Sequence, residues 1–527
     1  MKLRRRDVLK SAVAGAAALA APRILRAEGA KTITFVPHAD LASLDPVWTT
    51  ADITRNYSLA VFDTLYGYDA EFHVQPQMVE GHKVENDGRQ WELTLRDGLK
   101  FHDGTPVLAR DCVASIERCA KRNPMSGALM ARTDEISAPS DKVIRIRLKK
   151  PFALLPDALA EIYCVMMPER LAKTDAFQQV TEAVGSGPFK FVASERVPGS
   201  RVVFEKNADY VPRKSGKPSF NAGPKIVYVD RVVWNFIPDS STAAAALQSG
   251  EVDWWENPQL DLVPQLKADK NLVVKVTDRT GEIGCLRFNQ LFPPFDNPAI
   301  RRAVLAAIDQ KEVMTGVAGS VPELVKTDVG LFVPGTPMAS DVGVAITRGP
   351  KDYAKIKQEL EAAGYKGEKV VVLAATTIPA IFAEAQVASD ALRKIGMNID
   401  FQALEWGTVV QRRAVRKPID QGGWNIFYTY LGGFGNLSPG PDIAIRGNGG
   451  SAWFGWPTDP KMEALRDAWF EAPDLAAQQK ICREMQEAFW QNPSYVPLGM
   501  YDLPTAFHNY LHDIRDGWPQ FYGVKRV

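Results

Sequence analysis

The sequence has no strong excess of charge and no long apolar segment. Its 527 residues carry 63 basic and 62 acidic side chains, a formal net charge of +1. Charge therefore gives no reason to expect nucleic acid or an anionic membrane as a partner. A run of about 20 apolar residues, the length that spans a bilayer, is missing, as are internal repeats. At 46% hydrophobic and 24% charged residues, the composition is that of a globular protein, and the length predicts about three lobes.

Residues that perform catalysis or bind metals are sparse. There are six histidines, and none has partners at a spacing that predicts a nucleophilic or metal site. His102 lies in a predicted tight turn, where a loop hydrogen bond is expected rather than proton transfer. His508 and His512 could share a helix face, but no third metal ligand follows. Ser186 is not in a G-x-S-x-G pattern, and the glycines of 432–435 lack the spacing of phosphate-binding loops. The sequence therefore predicts no enzyme, no cofactor and no metal ion.

The cysteines give little guidance. Their number is five, which is odd, so not all of them can pair within the chain. Cys112 and Cys119 are seven residues apart on a predicted helix, roughly 10 Å along its axis at about 1.5 Å per residue. Because that separation exceeds the reach of a disulfide, both are predicted to be unpaired small hydrophobic residues.

The first residues have the pattern of an export signal. Seven basic residues oppose one acidic residue within residues 1–27, a net +6, which leaves the rest of the chain at −5. Arg5 and Arg6 fit the twin-arginine pattern, and the Ala-rich run Ser11–Ala21 that follows is too short to span a membrane. We interpret residues 1–27 as a twin-arginine signal peptide, cleaved near Ala27, which predicts a folded protein in the periplasm. The alternative is an amphipathic helix of the mature protein.

The most informative stretch runs from Gln90 to Cys119. Residues 91–95 alternate between apolar and polar, which predicts a strand with one buried face. Asp97-Gly98 is a turn signal, and the strand pattern resumes at Leu99–Phe101, so a hairpin is expected. From Ala109 onward, apolar residues recur at helical spacing.

Residues 95–113 read LRDGLKFHDGTPVLARDCV. This segment resembles "LRDGxKFHDGxPxxAxDV" of the extracytoplasmic solute-binding proteins of the dipeptide/oligopeptide (family 5) ABC importers. One departure is Leu108, where the family usually has a threonine, so a helix-capping hydroxyl is missing. Segments similar to the family also occur at Gly185–Val192 (GSGPFKFV) and in ALQSGEVD. A further match, "LxFN…PPFDNPxIRxAxxxAIDxxxV", contains Asn297 and Pro298, a good N-cap and first residue of a helix.

The resemblance implies an α/β fold of the periplasmic-binding-protein type II class. It has two lobes with a hinge and an inserted α+β subdomain, three domains in all. We assign residues 31–60, 185–265 and 495–527 to lobe I, 61–184 to subdomain II and 266–494 to lobe III. The strand-helix-strand pattern of Val370–Ala375, Pro379–Ile395 and Met397–Leu404 independently favours parallel pairing in lobe III.

Aromatic residues and glycines are concentrated between Trp406 and Trp456. A glycine-rich loop lets backbone approach a ligand while flat rings cover it, and in the family the segment WNIFYTYLGGFGNLSPGPD borders the cleft. The alternative is core, which we favour for Trp406 and Phe427. The predicted lining residues are Trp48, Thr49, Trp424, Tyr428, Tyr430, Gly432, Gly433 and Phe434.

The sequence departs from the family at two ionic anchors. Dipeptide binders carry an aspartate in that loop for the ligand's ammonium group, where this chain has Phe434 or Gly435. Some also hold the ligand's carboxylate with an arginine, where this chain has Ile381 and Phe382. The departures predict an apolar pocket and a ligand without a free zwitterionic backbone, because unpaired buried charges are costly.

The resemblance implies a periplasmic binding component of an ABC importer, which captures a peptide or peptide-like solute by hinge closure. Its partners would be the solute and a membrane permease with its ATPase, and the protein would be a monomer. The alternatives are a binding protein of this fold for a non-peptide solute (an opine, a glycoside or another small organic molecule), a periplasmic enzyme, and a sensor or chaperone.

Overall fold

The computed structural model describes residues 31–49 and 51–527. The predicted signal peptide, residues 1–27, lies outside this part of the chain. Within the described residues, no helix combines the length and the apolar character needed to cross a membrane.

Strands and helices alternate along most of the described chain. The strands are β1 (Thr32–Val36), β2 (Tyr66–Tyr68), β3 (Val74–Pro76), β4 (Val79–Glu85), β5 (Gln90–Leu95), β6 (Thr133–Ser140), β7 (Val143–Leu148), β8 (Phe189–Phe191), β9 (Arg201–Lys206), β10 (Arg231–Asn235), β11 (Trp254–Trp255), β12 (Leu272–Val276), β13 (Glu282–Phe288), β14 (Val325–Lys326), β15 (Lys369–Ala375), β16 (Asn398–Leu404), β17 (Ile426–Gly432), β18 (Tyr495–Tyr501), β19 (Pro504–His508), β20 (Leu511–His512) and β21 (Lys525–Arg526). The helices are α1 (Asp52–Val61), α2 (Ala109–Ala120), α3 (Pro124–Arg132), α4 (Leu155–Ala158), α5 (Glu169–Ala172), α6 (Ser240–Ser249), α7 (Val263–Ala268), α8 (Pro298–Ala307), α9 (Gln310–Ala318), α10 (Tyr353–Ala362), α11 (Pro379–Lys394), α12 (Trp406–Arg412), α13 (Pro460–Glu471) and α14 (Leu475–Gln491).

Two large sheets form the centres of two lobes. The seven-stranded sheet has the order β12-β19-β11-β1-β10-β9-β8, and we call the part of the molecule around it lobe I. The six-stranded sheet, at the centre of lobe III, has the order β14-β18-β13-β17-β15-β16. In lobe III, β15 pairs in parallel with β16, and α11 connects the two strands, which confirms the predicted strand-helix-strand unit.

A four-stranded sheet, β4-β5-β7-β6, lies inside the predicted subdomain II. Trp91, Leu93 and Leu95 of β5 are buried, as their alternation predicts. The predicted hairpin is wrong, however, because β5 pairs with β4 and β7. Leu99–Phe101 instead forms a tight loop of its own, in which Lys100 bridges to Pro106. Both edges of β5 are therefore occupied by other strands.

The chain crosses between the two large sheets at places that differ from the predicted boundaries. β12 joins lobe I, although a boundary near residue 265 would assign it to lobe III, and β18 joins lobe III, although a boundary at 495 would assign it to lobe I. The two crossing segments are therefore residues 277–281 and 502–503. They connect the strands of one large sheet to those of the other.

Helix α2 begins without a capping hydroxyl, as expected from Leu108. Asp111 supplies only the reciprocal bond of a capping box, since its Oδ2 accepts a hydrogen bond from the N–H of Leu108 at 2.8 Å. Its Oδ1 accepts from the N–H of Glu169 at 2.8 Å, so Asp111 also positions the start of the short helix α5.

One cysteine prediction is wrong. A disulfide joins Cys119 to Cys164, 45 residues later in the chain. Cys112 is free and buried, as predicted, and so are Cys285 and Cys482. Spacing along one helix excluded the pair Cys112–Cys119 correctly, but it gave no information on a partner from another segment.

Candidate ligand-binding cleft

A pocket lies between the lobes, at the crossing segments. It contains about 550 Å³ of empty space, a figure that includes open solvent at its mouth. Its walls come from α1, the ends of β1 and β11, both crossing segments, β13, β17 and the C-terminal segment. The lining residues are His38, Asp52, Arg55, Glu256, Asn257, Thr277, Asp278, Gly281, Glu282, Tyr430, Leu503, Thr505, Gly517, Trp518 and Pro519.

Arg55 of α1 is held firmly on the lobe I side of this pocket. Its Nη1 donates to Asp52 Oδ1 at 2.9 Å, and its guanidinium lies 4.5 Å from the ring centroid of Trp518. Burial lowers the pKa of Arg55, but nearby acidic groups, Asp52 foremost, raise it by more, and the net pKa lies above the ordinary value. Arg55 is therefore a permanent cation. Its guanidinium is paired with the Asp52 carboxylate and packs on the indole ring of Trp518.

His38 and Glu256 form a second fixed pair. His38 Nδ1 lies 2.7 Å from Glu256 Oε2, and Asn56 Nδ2 donates to Glu256 Oε1 at 2.5 Å. Burial lowers the pKa of His38, but Glu256 raises it by more, so the net pKa is above the ordinary value. Conversely, burial raises the pKa of Glu256, and His38 lowers it by more, so its net pKa is below the ordinary value. Both shifts favour an ion pair at neutral pH.

Two further carboxylates stand at the first crossing segment. Asp278 Oδ1 accepts hydrogen bonds from the N–H and the hydroxyl of Thr280, at 2.9 and 2.6 Å. Glu282 begins β13, and its Oε2 is buried without a hydrogen-bond partner among the described residues. Burial, and after it the charges of Asp52 and Asp278, raise the pKa of Glu282 well above the ordinary value.

The surroundings of the pocket are polar, and no metal site is evident in them. Within residues 31–49 and 51–527, no group of three or more His, Cys, Asp or Glu side chains is arranged to hold a metal ion. His508 and His512 do not share a helix face, because they lie on strands β19 and β20. His508 Nε2 instead lies 2.7 Å from the carbonyl oxygen of Leu247.

A family model for bacterial extracellular solute-binding proteins, family 5, matches residues 73–451, well over half of the chain. The chain belongs to this family. The family resemblance inferred from residues 95–113 is thereby confirmed. This family 5 protein is also similar to the "probable peptide ABC transporter periplasmic-binding protein y4tO" of Sinorhizobium fredii strain NGR234. The two sequences are 38% identical over 517 residues, a match that covers 97% of each chain.

Solved structures confirm the type II fold. The binding protein AgaA of A. tumefaciens R10, in complex with agropinic acid, superposes with a TM-score of 0.77 at 22% identity, over 94% of this chain and 99% of that one. DppA of Helicobacter pylori, in complex with the peptide STSA, gives a TM-score of 0.77 at 21% identity, over 94% and 98% of the two chains. At this level of identity the likeness concerns the fold.

Of the eight residues predicted to line the cleft of this family 5 protein, Tyr430 lies at the pocket. Trp424 and Tyr428 are fully buried in the lobe III core. The ring of Trp424 packs against Phe427 at 5.1 Å, and the hydroxyl of Tyr428 lies 3.3 Å from Ser389 Oγ on α11. Tyr428 and Tyr430 lie on the same face of β17. Tyr430 reaches the pocket because it is closer to the end of the strand, whereas Tyr428 lies further inside the core.

Phe434 contacts lobe I instead of the pocket. Its ring centroid lies 4.8 Å from that of Trp518 and 6.0 Å from that of Phe220. It also lies 5.2 Å from Tyr68. Because Trp518 and Phe220 belong to segments that flank lobe I strands, Phe434 joins the two lobes. We call these four rings the interlobe aromatic cluster.

Gly433 is a glycine for reasons of backbone packing. Its N–H donates to the carbonyl oxygen of Gly281 in the crossing segment at 2.8 Å. A Cβ added at Gly433 would lie 1.9 Å from the carbonyl oxygen of Thr280. Gly432 is less constrained, since an added Cβ would meet Glu282 Oε2 at 3.7 Å. Neither glycine is among the residues that line the pocket.

We expect Gly433→Ala to lower the free energy of unfolding by about 1–3 kcal/mol or more, because backbone of the crossing segment would have to move. Gly435→Ala is the matched control two residues away, where nothing lies within 4 Å of an added Cβ, and its effect should stay within about 0.5 kcal/mol. Thermal unfolding of both variants measures the difference. Equal midpoints for the two variants would contradict the packing account.

Trp48 and Thr49 end the loop that follows β1, and neither lines the pocket. The loop is held by Asp45, which belongs to its Leu44-Asp45-Pro46 motif. Its Oδ2 accepts from Arg118 Nη2 at 2.6 Å, and its Oδ1 from the N–H of Val47 at 3.0 Å. The Asp45 and Arg118 side chains are 0% and 2% exposed. In this protein the motif therefore has a structural role.

Most other rings between residues 406 and 456 surround Arg413. Its guanidinium lies 4.7 Å from the ring centroid of Phe454, 5.3 Å from Trp406 and 5.9 Å from Trp453. These rings form a cation–π cluster in lobe III. The density of aromatic residues in this segment therefore marks packing around an arginine, which the sequence pattern did not distinguish from a ligand platform.

The expectation of an apolar pocket is wrong, because six of its lining residues are acidic, basic or histidine side chains. Sequence reasoning concentrated on the loop after β17 and missed the residues of α1 and of the first crossing segment. A signal was present: Asp278 and Glu282 flank Arg279 and Gly281 in DRTGE, directly before a buried strand. Acidic side chains at the entry to a buried strand are candidates for a cleft.

Proposed function

We propose that this protein is the periplasmic solute-binding component of an ABC importer, and that its solute is a peptide or a peptide-like molecule. One observation carries the proposal: the pocket takes walls from both lobes and from both crossing segments. A solute in it contacts both lobes only when they are together, so its binding energy favours the closed form. The family membership and the 38% identical relative named as a peptide transporter component support the peptide class.

Both lobes contribute side chains to the pocket. Arg55 and the His38–Glu256 pair belong to lobe I, and Tyr430 and Glu282 belong to lobe III strands. We propose Tyr430 as a ring that covers the solute. The twin-arginine pattern of residues 1–27 supports export to the periplasm, where the closed, loaded monomer would dock on a permease driven by an ATPase.

A non-peptide solute is the second candidate. It is favoured by the absence of the family's loop aspartate at Phe434 and Gly435, and of its arginine near Ile381. Without these anchors, recognition of a short peptide at both of its ends would need other groups. An opine or another small organic molecule, held by the charged groups at the crossing segments, would fit the same cleft.

Isothermal titration after unfolding, dialysis and refolding, which removes any retained solute, tests the proposal. We expect at least one peptide from a panel of two to five residues to bind and to reduce the radius of gyration in small-angle scattering. The recovered peptide should be chemically unchanged. If no peptide binds while an opine or a glycoside does, the second candidate is correct, and if the bound molecule is consumed, the protein is an enzyme.

A further inference from the structure

The pocket has more acidic than basic groups. Four carboxylates and two cationic groups line it: Asp52, Glu256, Asp278 and Glu282 against His38 and Arg55. Both cations are already paired within lobe I, Arg55 with Asp52 at 2.9 Å and His38 with Glu256 at 2.7 Å. The two carboxyl groups that remain are Asp278 and Glu282, and the raised pKa of Glu282, caused first by burial, favours its protonated form in the empty pocket.

Asp278 and Glu282 form no ion pair with a basic side chain of the described part of the chain. Asp278 accepts hydrogen bonds from Thr280 only through one oxygen, and the buried Oε2 of Glu282 accepts none. Ionised carboxylates in a partly buried site are costly unless a cation or hydrogen-bond donors compensate them. An incoming cation would lower this cost and would favour the ionised form of both Asp278 and Glu282.

The position of Glu282 gives it access to such a cation. In the β13–β17 pairing Glu282 lies opposite Gly432, which has no side chain to cover the carboxylate. Tyr430, two residues earlier on β17, lines the same pocket. An aromatic face next to carboxylates is a favourable surrounding for ammonium and guanidinium groups. On the opposite wall, the Trp518 ring already holds the Arg55 guanidinium in this way, at 4.5 Å.

We propose that Asp278, Glu282 and Tyr430 form a cation subsite, and that the solute carries an ammonium or guanidinium group that binds there. This inference rests on the proposed solute-binding function and narrows it to cationic solutes. The cation would donate charge-assisted hydrogen bonds to both carboxylates, and would supply the positive charge that lobe III lacks at this wall. A solute anion would instead be repelled by them.

The test is titration calorimetry with matched probes: Ala-Lys-Ala, Ala-Ala-Ala and Ala-Glu-Ala, each with free and with acetylated N-termini, and 1,5-diaminopentane as a non-peptide cation. We expect the lysine peptides to bind at least about tenfold more tightly than their neutral counterparts, and the glutamate peptides to bind most weakly. The isosteric variants Asp278→Asn and Glu282→Gln should each weaken binding of the cationic probes about tenfold. Asp420→Asn, at an exposed position away from the pocket, is the control, and thermal midpoints confirm that the variants are folded.

The outcomes separate this inference from the proposed function. If peptides bind with affinities that do not depend on their charge, and the two variants bind like the control, the cation subsite is overturned while peptide binding stands. If diaminopentane binds and depends on Glu282 while no peptide does, the subsite stands and the peptide class fails. If none of the cationic probes binds, the cation subsite is overturned.

Discussion

Replacing Arg118 by methionine is expected to lower the free energy of unfolding by about 3–5 kcal/mol, because the Asp45 carboxylate would remain buried without its counter-charge. Two nitrogens of the guanidinium donate to the two oxygens of Asp45, at 3.0 and 2.6 Å. Neither side chain has contact with bulk solvent that could replace these bonds. Urea unfolding at neutral pH, followed by circular dichroism, measures the loss.

Arg110→Met is the matched control on the same helix. Arg110 is 62% exposed and lies 3.5 Å from Glu169, and exposed pairs of this kind contribute about 0–1 kcal/mol. A double variant that also replaces Asp45 by asparagine should recover part of the stability, since the unpaired charge is then gone. Equal, small losses for the two arginine variants would show that the buried pair does not hold the loop after β1.

The second large effect concerns Glu384, which is fully buried on α11. Neither carboxyl oxygen has a hydrogen-bond partner within the described residues, and burial raises the pKa of Glu384 well above the ordinary value. Its carboxyl group faces Gly284 of β13, where an added Cβ would lie 2.4 Å from Oε1. The folded protein therefore favours the protonated acid.

A raised pKa in the folded state makes stability fall as the pH rises. Above the pKa of the unfolded chain, near the ordinary value for glutamate of about 4.3, each pH unit costs about 1.4 kcal/mol until the pH passes the folded pKa. We expect Glu384→Gln to remove this contribution, so that the stability difference between the variant and the native protein shifts in favour of the variant between pH 5 and pH 8. Urea midpoints at several pH values measure the slope.

Glu487→Gln serves as the control, because Glu487 is exposed on helix α14 and its replacement should leave the slope unchanged. The comparison depends on slopes, since the side-chain amide introduced by Glu384→Gln would itself lack partners and shift the whole curve. Parallel curves for the native protein and Glu384→Gln would mean that Glu384 does not titrate differently in the folded and unfolded states.

Much of the local structure was predictable, because local patterns determine it. Asn297 accepts from the N–H of Ala299 at 2.9 Å and starts α8 with Pro298 as its first residue, as its residue type predicts. Residues 91–95 bury alternate side chains, as the period of two requires. The strand-helix-strand unit of lobe III likewise begins and ends within one residue of its predicted bounds.

The pairing of distant segments was not predictable in this way. Cys119 forms a disulfide with Cys164, and the pairs Asp45–Arg118 and His38–Glu256 form between distant segments. No local sequence pattern encodes these three pairings. The pocket has the same origin, because its walls come from α1, the crossing segments and the end of the chain. Family resemblance predicted that a cleft exists between lobes, but the side chains that face it depend on the packing of this particular chain.

The interlobe aromatic cluster has a consequence for how tightly any solute is held. Its rings all belong to the protein, so their contact favours the shut arrangement even when the solute is absent. The measured dissociation constant equals the intrinsic constant divided by the fraction of molecules in the competent arrangement. In the proposed closure mechanism, Phe434 therefore sets the resting population, and a change at this one ring would tune affinity although Phe434 does not itself line the pocket.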